Sequence, residues 1–205
     1  MGATPLWEAF AAFARRPTAR LLGGALAASV ALRVAMGGLG RADLVVAGAV
    51  VLAQPFVEWL IHVNVLHARP FTVAGRRVDV GYTHRVHHDD PKDLAHVFVD
   101  VRFLVATFVL DAGLWALAYA RGAGRLGTLL VSALAGTLAY EWTHYLIHTD
   151  YRPRTRLYRG IRRAHLLHHY RDDRYWYGVT GHLADRVLGT YPRADEVTGN
   201  RTVTV

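Results

Sequence analysis

The chain has 205 residues, 52% apolar and 20% charged, which is more apolar than an ordinary soluble domain and points toward a membrane. Its net charge of +8 falls mostly in segments that flank apolar runs, a pattern that suits an anionic membrane surface; no nucleic-acid-binding motif accompanies it. Cysteine is absent, which excludes disulfides, thiolate-ligated haem and iron–sulfur clusters, so electrons for any redox chemistry must come from another protein.

Residues 1–17 contain TPLWEAFAAFARR, in which Thr4 can cap, Pro5 suits a first helical position and Pro17 ends the segment. Its basic residues follow the apolar ones, so it reads as a short interfacial helix and not a secretion signal. Residues 21–39 form a Gly/Ala-rich apolar run interrupted by Arg33, long enough to span a hydrocarbon layer. Residues 44–66 form a second span, where Gln54, Glu58 and His62 recur every four positions as a polar stripe. A third span runs over residues 103–120 and contains Asp111. The fourth covers 126–147 and places Thr137, Glu141, His144 and His148 on one face. Short links make hairpins of 21–66 and 103–148. Arg33 and Asp111, each deep in a span, are expected to pair.

Residues 69–100 read as a loop with short extended structure near Arg76 to Val80, and Ala184 to Leu188 as a short helix; the chain past Arg193 reads as frayed. Lys and Arg concentrate before the first span, between the second and third, and after Asp150. The positive-inside bias then places 69–100, 149–205 and both termini on the cytoplasmic side. The expected architecture is an all-α, single-domain integral membrane protein, with four transmembrane helices and a cytosolic helical cap.

Ten of the twelve histidines form two matched sets. His62 and His67 precede the cluster His84, His87, His88, just as His144 and His148 precede His165, His168, His169; His84 lies seventeen positions after His67, and His165 seventeen positions after His148. A Glu-Trp pair precedes each set, Glu58-Trp59 and Glu141-Trp142. Neutral imidazoles can gather at one point at modest desolvation cost, and a first-row metal satisfies their lone pairs. Ten exceed two closed tetrahedral sites; about five per ion leave room for oxygen or substrate at a six-coordinate metal. His62 and His67 are ~140° apart on a regular helix, so the helix is expected to loosen near Val63 to Leu66. Glu58 and Glu141 read as acceptors for a ligand N–H, and Asp172, Asp173 and Asp185 either do the same or neutralise Arg171, Arg174 and Arg186. His96 and His182 fall outside the series. The run Tyr175-Trp176-Tyr177 reads equally as a cover over an acyl chain or as an interfacial belt.

The series H-x4-H, H-x-x-H-H, H-x3-H, H-x-x-H-H, with HTDYRP, HLLHHYRDD, YWYGVT and LGTYP, resembles the fatty acid hydroxylase and sterol desaturase superfamily of membrane non-haem di-iron oxygenases, over roughly residues 50–190. The resemblance implies ten metal ligands: His62, His67, His84, His87, His88, His144, His148, His165, His168 and His169. It further implies two iron ions, with zinc as a substitute in purified material, dioxygen, a lipid substrate, and electrons from a cytochrome b5 or ferredoxin chain. The expected setting is a bacterial cell membrane and the expected reaction hydroxylation of an acyl C–H. A sterol or carotenoid substrate, desaturation, and a non-catalytic haem or metal carrier are the alternatives.

Overall fold

The computed structural model describes residues 3–198. Helix α1 (Leu6–Ala14) is followed by α2 (Pro17–Ala35), α3 (Arg41–Ile61) and a π-helical turn, His62–Leu66. Pro17 starts α2 because its missing N–H costs nothing at a first helical position. Strands β1 (Phe71–Val73) and β2 (Arg76–Val78) form an antiparallel hairpin with Thr72 opposite Arg77, a departure from an all-helical chain. Helices α4 (Tyr82–Asp89), α5 (Val101–Ala120), α6 (Gly124–His148), α7 (Arg156–Tyr170) and α8 (Leu183–Val187) follow, and then a 3-10 turn, Ala194–Glu196.

Among the described residues, three helices are long and apolar enough to cross a membrane: Pro17–Ala35, Arg41–Leu66 and Arg102–Ala120. At 1.5 Å per residue α6 also has the length, about 37 Å, but Thr128, Ser132, Thr137, Glu141 and His144 make it the more polar helix. Large side chains such as Val45, Val51, Leu52 and Val109 are exposed on α3 and α5, as a lipid-facing surface requires.

The chain divides into two compact units. One comprises residues 10–54 and 99–142, and its core is helix on helix. Leu22, Leu104 and Leu134 meet across α2, α5 and α6, and Trp115 and Ala118 of α5 pack on Leu130 of α6. Phe10 and Phe13 set their rings edge-on against Trp142, at 5.5 and 5.1 Å.

The expected Arg33–Asp111 pair is not formed. Arg33 donates to Asp43 Oδ1 and Thr128 Oγ1, each at 2.7 Å, and to the Gly37 carbonyl at 2.7 Å. Thr128 in turn donates to Asp43, and the Gly40 amide caps its other oxygen at 2.9 Å. The α2–α3 turn brings Asp43 back along the helix that carries Arg33, and a local partner with two further bonds outcompetes a distant carboxylate. The Asp43→Ala protein is therefore expected to melt at least roughly 5 °C lower in mild detergent, since a buried guanidinium loses its counter-ion. Asp111→Ala is expected to leave the melting temperature within about 1–2 °C of wild type, the usual result at a site without such a partner.

The second unit holds the described residues of 1–9, 55–98 and 143–205. Its apolar cluster joins Ala164, Trp176 and Val197, with Leu167, Tyr175 and Tyr191 against it. Val197 is thus buried, and its carbonyl accepts both Arg171 Nε and Nη2 at 2.9 and 2.6 Å, so the chain past Arg193 is held in place to residue 198 instead of fraying. The remainder of the expected frayed tail lies outside the described residues.

Candidate metal centre

Both histidine sets lie wholly within the second unit. The first pair is brought into line by the π turn, where the His67 amide bonds the His62 carbonyl at 3.1 Å. This wider turn returns residues five apart to one side, and the two rings stack 5.1 Å apart. Helix α4 turns His84, His87 and His88 inward, positioned by Arg85, which bonds the Ala68 carbonyl at 2.7 Å and pairs with Asp79. Helix α7 is amphipathic, with Ile161, Ala164, His165, His168 and His169 buried. Thr155 caps it by accepting from the Tyr158 amide, and Arg162 donates to the Ile147 carbonyl at the end of α6.

The ten imidazoles gather into two groups of five. One contains His62, His67, His84, His88 and His168; the other contains His87, His144, His148, His165 and His169. Within each group one ligand atom from every residue lies within 4.8 Å of the others. Each half of the chain keeps four histidines in its own group and sends the middle histidine of its H-x-x-H-H motif to the other, so His87 and His168 cross over. The groups adjoin, since the His88 and His169 rings are 4.2 Å apart.

In the first group Nε2 atoms approach one another at 3.0 Å for His62 and His84, 3.0 Å for His84 and His88, and 3.2 Å for His67 and His168. The second group shows 3.2 Å for His87 and His148, 3.1 Å for His148 and His165, and 2.9 Å for His165 and His169. Neighbouring ligands of a six-coordinate ion with metal–nitrogen bonds of about 2.1 Å stand roughly 3.0 Å apart, so the donor sets fit two transition-metal ions. Burial, reinforced by neighbouring imidazoles, holds His84, His88, His165, His168 and His169 well below the ordinary histidine range; burial also brings His67 and His87 down to about 4, helped by the Arg85 charge at His67 and by His96 at His87. Neutral imidazole is the form a metal needs.

Acid acts on this arrangement with a definite sign. An unfolded histidine takes up a proton near pH 6.5, whereas folded His67 and His87 resist until about pH 4, so the unfolded chain binds more protons across that window. Stability and metal retention are expected to be full above about pH 7 and to fall as pH drops from 6.5 toward 4; metal content after desalting at stepped pH measures this.

Two of the histidines, His62 and His168, are oriented by backbone carbonyls. His62 Nδ1 faces the Tyr177 carbonyl and His168 Nδ1 the Tyr175 carbonyl, both at 2.7 Å. A carbonyl only accepts, so each Nδ1 carries the proton and each Nε2 presents its lone pair to the group. Trp176, between them, has φ 57° and is buried, its ring packed in the core of the unit. Tyr175 packs on Trp176, and the Tyr177 ring lies 5.3, 5.8 and 5.2 Å from those of His62, His67 and His168. The aromatic run is therefore a strap over the first group and not an interfacial belt.

Two buried carboxylates hold the strap by four consecutive amides. Asp185 accepts the Tyr177 and Gly178 amides at 3.0 and 2.7 Å and the Thr190 hydroxyl at 2.6 Å. Glu58 accepts the Val179 amide, the Thr180 amide at 3.1 Å and the Thr180 hydroxyl at 2.5 Å. Trp59 Nε1 adds a bond to Thr190 Oγ1 at 2.9 Å. Glu58 accepts no histidine N–H; its partners are the amides and hydroxyl of the loop that follows the Tyr177 carbonyl. Glu141 likewise accepts the Val99 amide, at 3.0 Å, and not a histidine. At Gly178 only glycine fits, because a Cβ would meet the Gly181 carbonyl oxygen at 2.0 Å.

Among the remaining acids, Asp172 is taken by Arg174 at 3.0 and 2.7 Å, and Asp173 stands 3.9 Å from His67 Nδ1. His96 pairs with Asp93 at 2.9 Å and His182 packs against Tyr191; neither joins a group.

A helical chain presenting two adjoining five-imidazole groups belongs to the class of histidine-rich proteins whose donor sets could each hold a metal ion. The fatty acid hydroxylase family profile matches residues 47–190, and the chain belongs to that family. It is 30% identical over 144 residues to dihydroceramide fatty acyl 2-hydroxylase FAH2 of Arabidopsis thaliana, covering 69% of this chain and 58% of that protein. A segment of 58 residues is 40% identical to the ceramide very long chain fatty acid hydroxylase scs7 of Schizosaccharomyces pombe, covering 28% of this chain and 16% of that one. The chain thus spans just over half the length of FAH2. The solved structure of full-length scs7p, in which only the hydroxylase domain is visible, superposes with a TM-score of 0.65 at 18% identity, covering 97% of this chain and 70% of the other, and so shares the fold.

Proposed function

We propose that the protein is an O2-dependent hydroxylase of the acyl chain of a membrane lipid, with iron ions in both histidine groups and electrons delivered by a separate protein. The observation that carries this reading is the geometry of the groups: five neutral imidazoles each, Nε2 atoms about 3 Å apart, and no carboxylate in either. When bound, two irons supply dioxygen activation and oxidation of an unactivated C–H.

The chain's residues do the rest. His62, His67, His84, His88 and His168 hold one ion, and His87, His144, His148, His165 and His169 the other. The Tyr175 and Tyr177 carbonyls fix the tautomers of His168 and His62. Burial pushes the Tyr177 hydroxyl up to about 12, so beside the first group it stays a hydrogen-bond donor able to hold an acyl carbonyl. The absence of cysteine within these 205 residues leaves the electron supply to a cytochrome b5 or ferredoxin chain. Helix α6 serves as a fourth span, with the second unit at the cytoplasmic face, in keeping with its arginines.

The test is protein purified in mild detergent, assayed for iron and for O2 consumption with lipid and reductant. Two irons per chain and an 18O-labelled hydroxy lipid are the expected results. A Soret band, or uptake of O2 with no oxygen in the lipid, overturns the reading.

A further inference from the structure

A cavity of about 820 Å³ opens beside the first histidine group, with His67, His88 and Tyr177 on its inner wall. Its other side is formed by the β1–β2 hairpin and the segment before it, through Arg69, Phe71, Thr72 and Arg77. Arg85 and Arg174 also line it, as do the carboxylates Asp89 and Asp173. These two arginines are committed, Arg85 to Asp79 and the Ala68 carbonyl, Arg174 to both oxygens of Asp172. Asp173 faces His67. Arg69 and Arg77 have no hydrogen bond or ion pair among the described residues, and both are exposed on the rim of the cavity. Thr72 and Arg77 are paired across the hairpin, so a hydroxyl and a guanidinium stand side by side on one wall.

We infer that Arg69 and Arg77 bind an anionic head group, a carboxylate or a phosphate, of the lipid whose acyl chain is presented to the histidine groups. The inference rests on the hydroxylase reading and adds the substrate class to it. Guanidinium forks match a carboxylate or phosphate with two parallel bonds, and they gain much less from the neutral amide and hydroxyls of a ceramide. The same cavity touches His67 and His88, so an anion held at its rim places the first carbons of the acyl chain toward the metal ligands, with Phe71 as apolar wall. A free fatty acid and an anionic phospholipid share this chemistry.

Binding to the purified, metal-loaded full chain separates the cases without relying on turnover. The probes are palmitate, phosphatidylglycerol, methyl palmitate and N-palmitoyl dihydrosphingosine. Palmitate or phosphatidylglycerol is expected to bind at least about tenfold more tightly than either neutral probe, and to weaken as NaCl is raised. R69Q/R77Q is expected to lose about tenfold or more of that affinity, R69K/R77K to keep part of it, and both to retain wild-type iron. Preference for palmitate identifies the free acid as the source, and preference for phosphatidylglycerol the phospholipid. Neutral probes binding as tightly as the anions overturn the inference, and this comparison uses the wild type alone. Unchanged palmitate affinity in R69Q/R77Q also overturns it, since the carboxylate then sits on the metal; so does a variant that loses only its attachment to anionic vesicles. Failure of the hydroxylase reading shows separately, as absent iron.

Discussion

His87→Ala and His168→Ala are each expected to cut lipid hydroxylation by at least roughly 100-fold and to lower the metal content from about two ions per chain to one or fewer. Loss of an outer-shell partner alone typically costs 10- to 100-fold, and these side chains present nitrogen directly to a group. Both are fully buried, so truncation leaves four imidazoles around a hole that water fills with weaker field than nitrogen. His96→Ala is the control, because His96 pairs with Asp93 outside both groups. The crossover gives a sharper result. His87 follows His84 by three residues on α4, yet it belongs with His144 and His165. Adding His165→Ala to His87→Ala should therefore remove little further metal, whereas adding His84→Ala should empty both groups. Double variants measured by metal analysis decide it, because residues acting as one unit are non-additive. Wild-type metal in His87→Ala would defeat the assignment.

Much of this was legible in the sequence, for identifiable reasons. Hydropathy marks α2, α3 and α5 as spans because each is long and its mean apolarity is high despite a few polar residues, Arg33, Gln54, Glu58 and Asp111 among them. The π turn was readable as a misfit: His62 and His67, five positions apart, cannot face one point on an α-helix, and the chain solves this by widening the turn. The partner of Arg33 was not readable from depth in a span, since Asp43 looked like part of a link; α3 begins at Arg41 and places it inside the fold. Nor was the role of Glu58, because backbone amides, its actual partners, carry no side-chain signature. The Tyr175 and Tyr177 carbonyls were invisible for the same reason. The glycine at 178 near Asp185 was the available hint, because a Cβ there would meet the Asp185 carboxylate at 2.8 Å and the Gly181 carbonyl oxygen at 2.0 Å.

Asp185→Ala is expected to cost about 3–5 kcal/mol of stability and, in whatever protein still folds, to weaken metal retention by roughly 10- to 100-fold. The carboxylate has no exposure and accepts three donors, the Tyr177 and Gly178 amides and the Thr190 hydroxyl. Burial pushes the Asp185 carboxyl up against the pull of these bonds. Removing it leaves two amides buried without an acceptor and frees Thr190, which also receives Trp59 Nε1 from α3. The effect reaches the metal because Tyr177 donates its amide to Asp185 and offers its carbonyl to His62: when the amide side drifts, the peptide that sets the His62 tautomer drifts with it. A merely structural carboxylate would lower the melting temperature and leave metal affinity unchanged in the folded fraction. A positioning one moves both. Asp185→Asn separates them further, since the amide keeps the volume but turns an N–H toward a donor; the expected order of metal retention is wild type, then Asn, then Ala. Equal iron affinity in all three folded proteins would show that the strap does not orient the ligand.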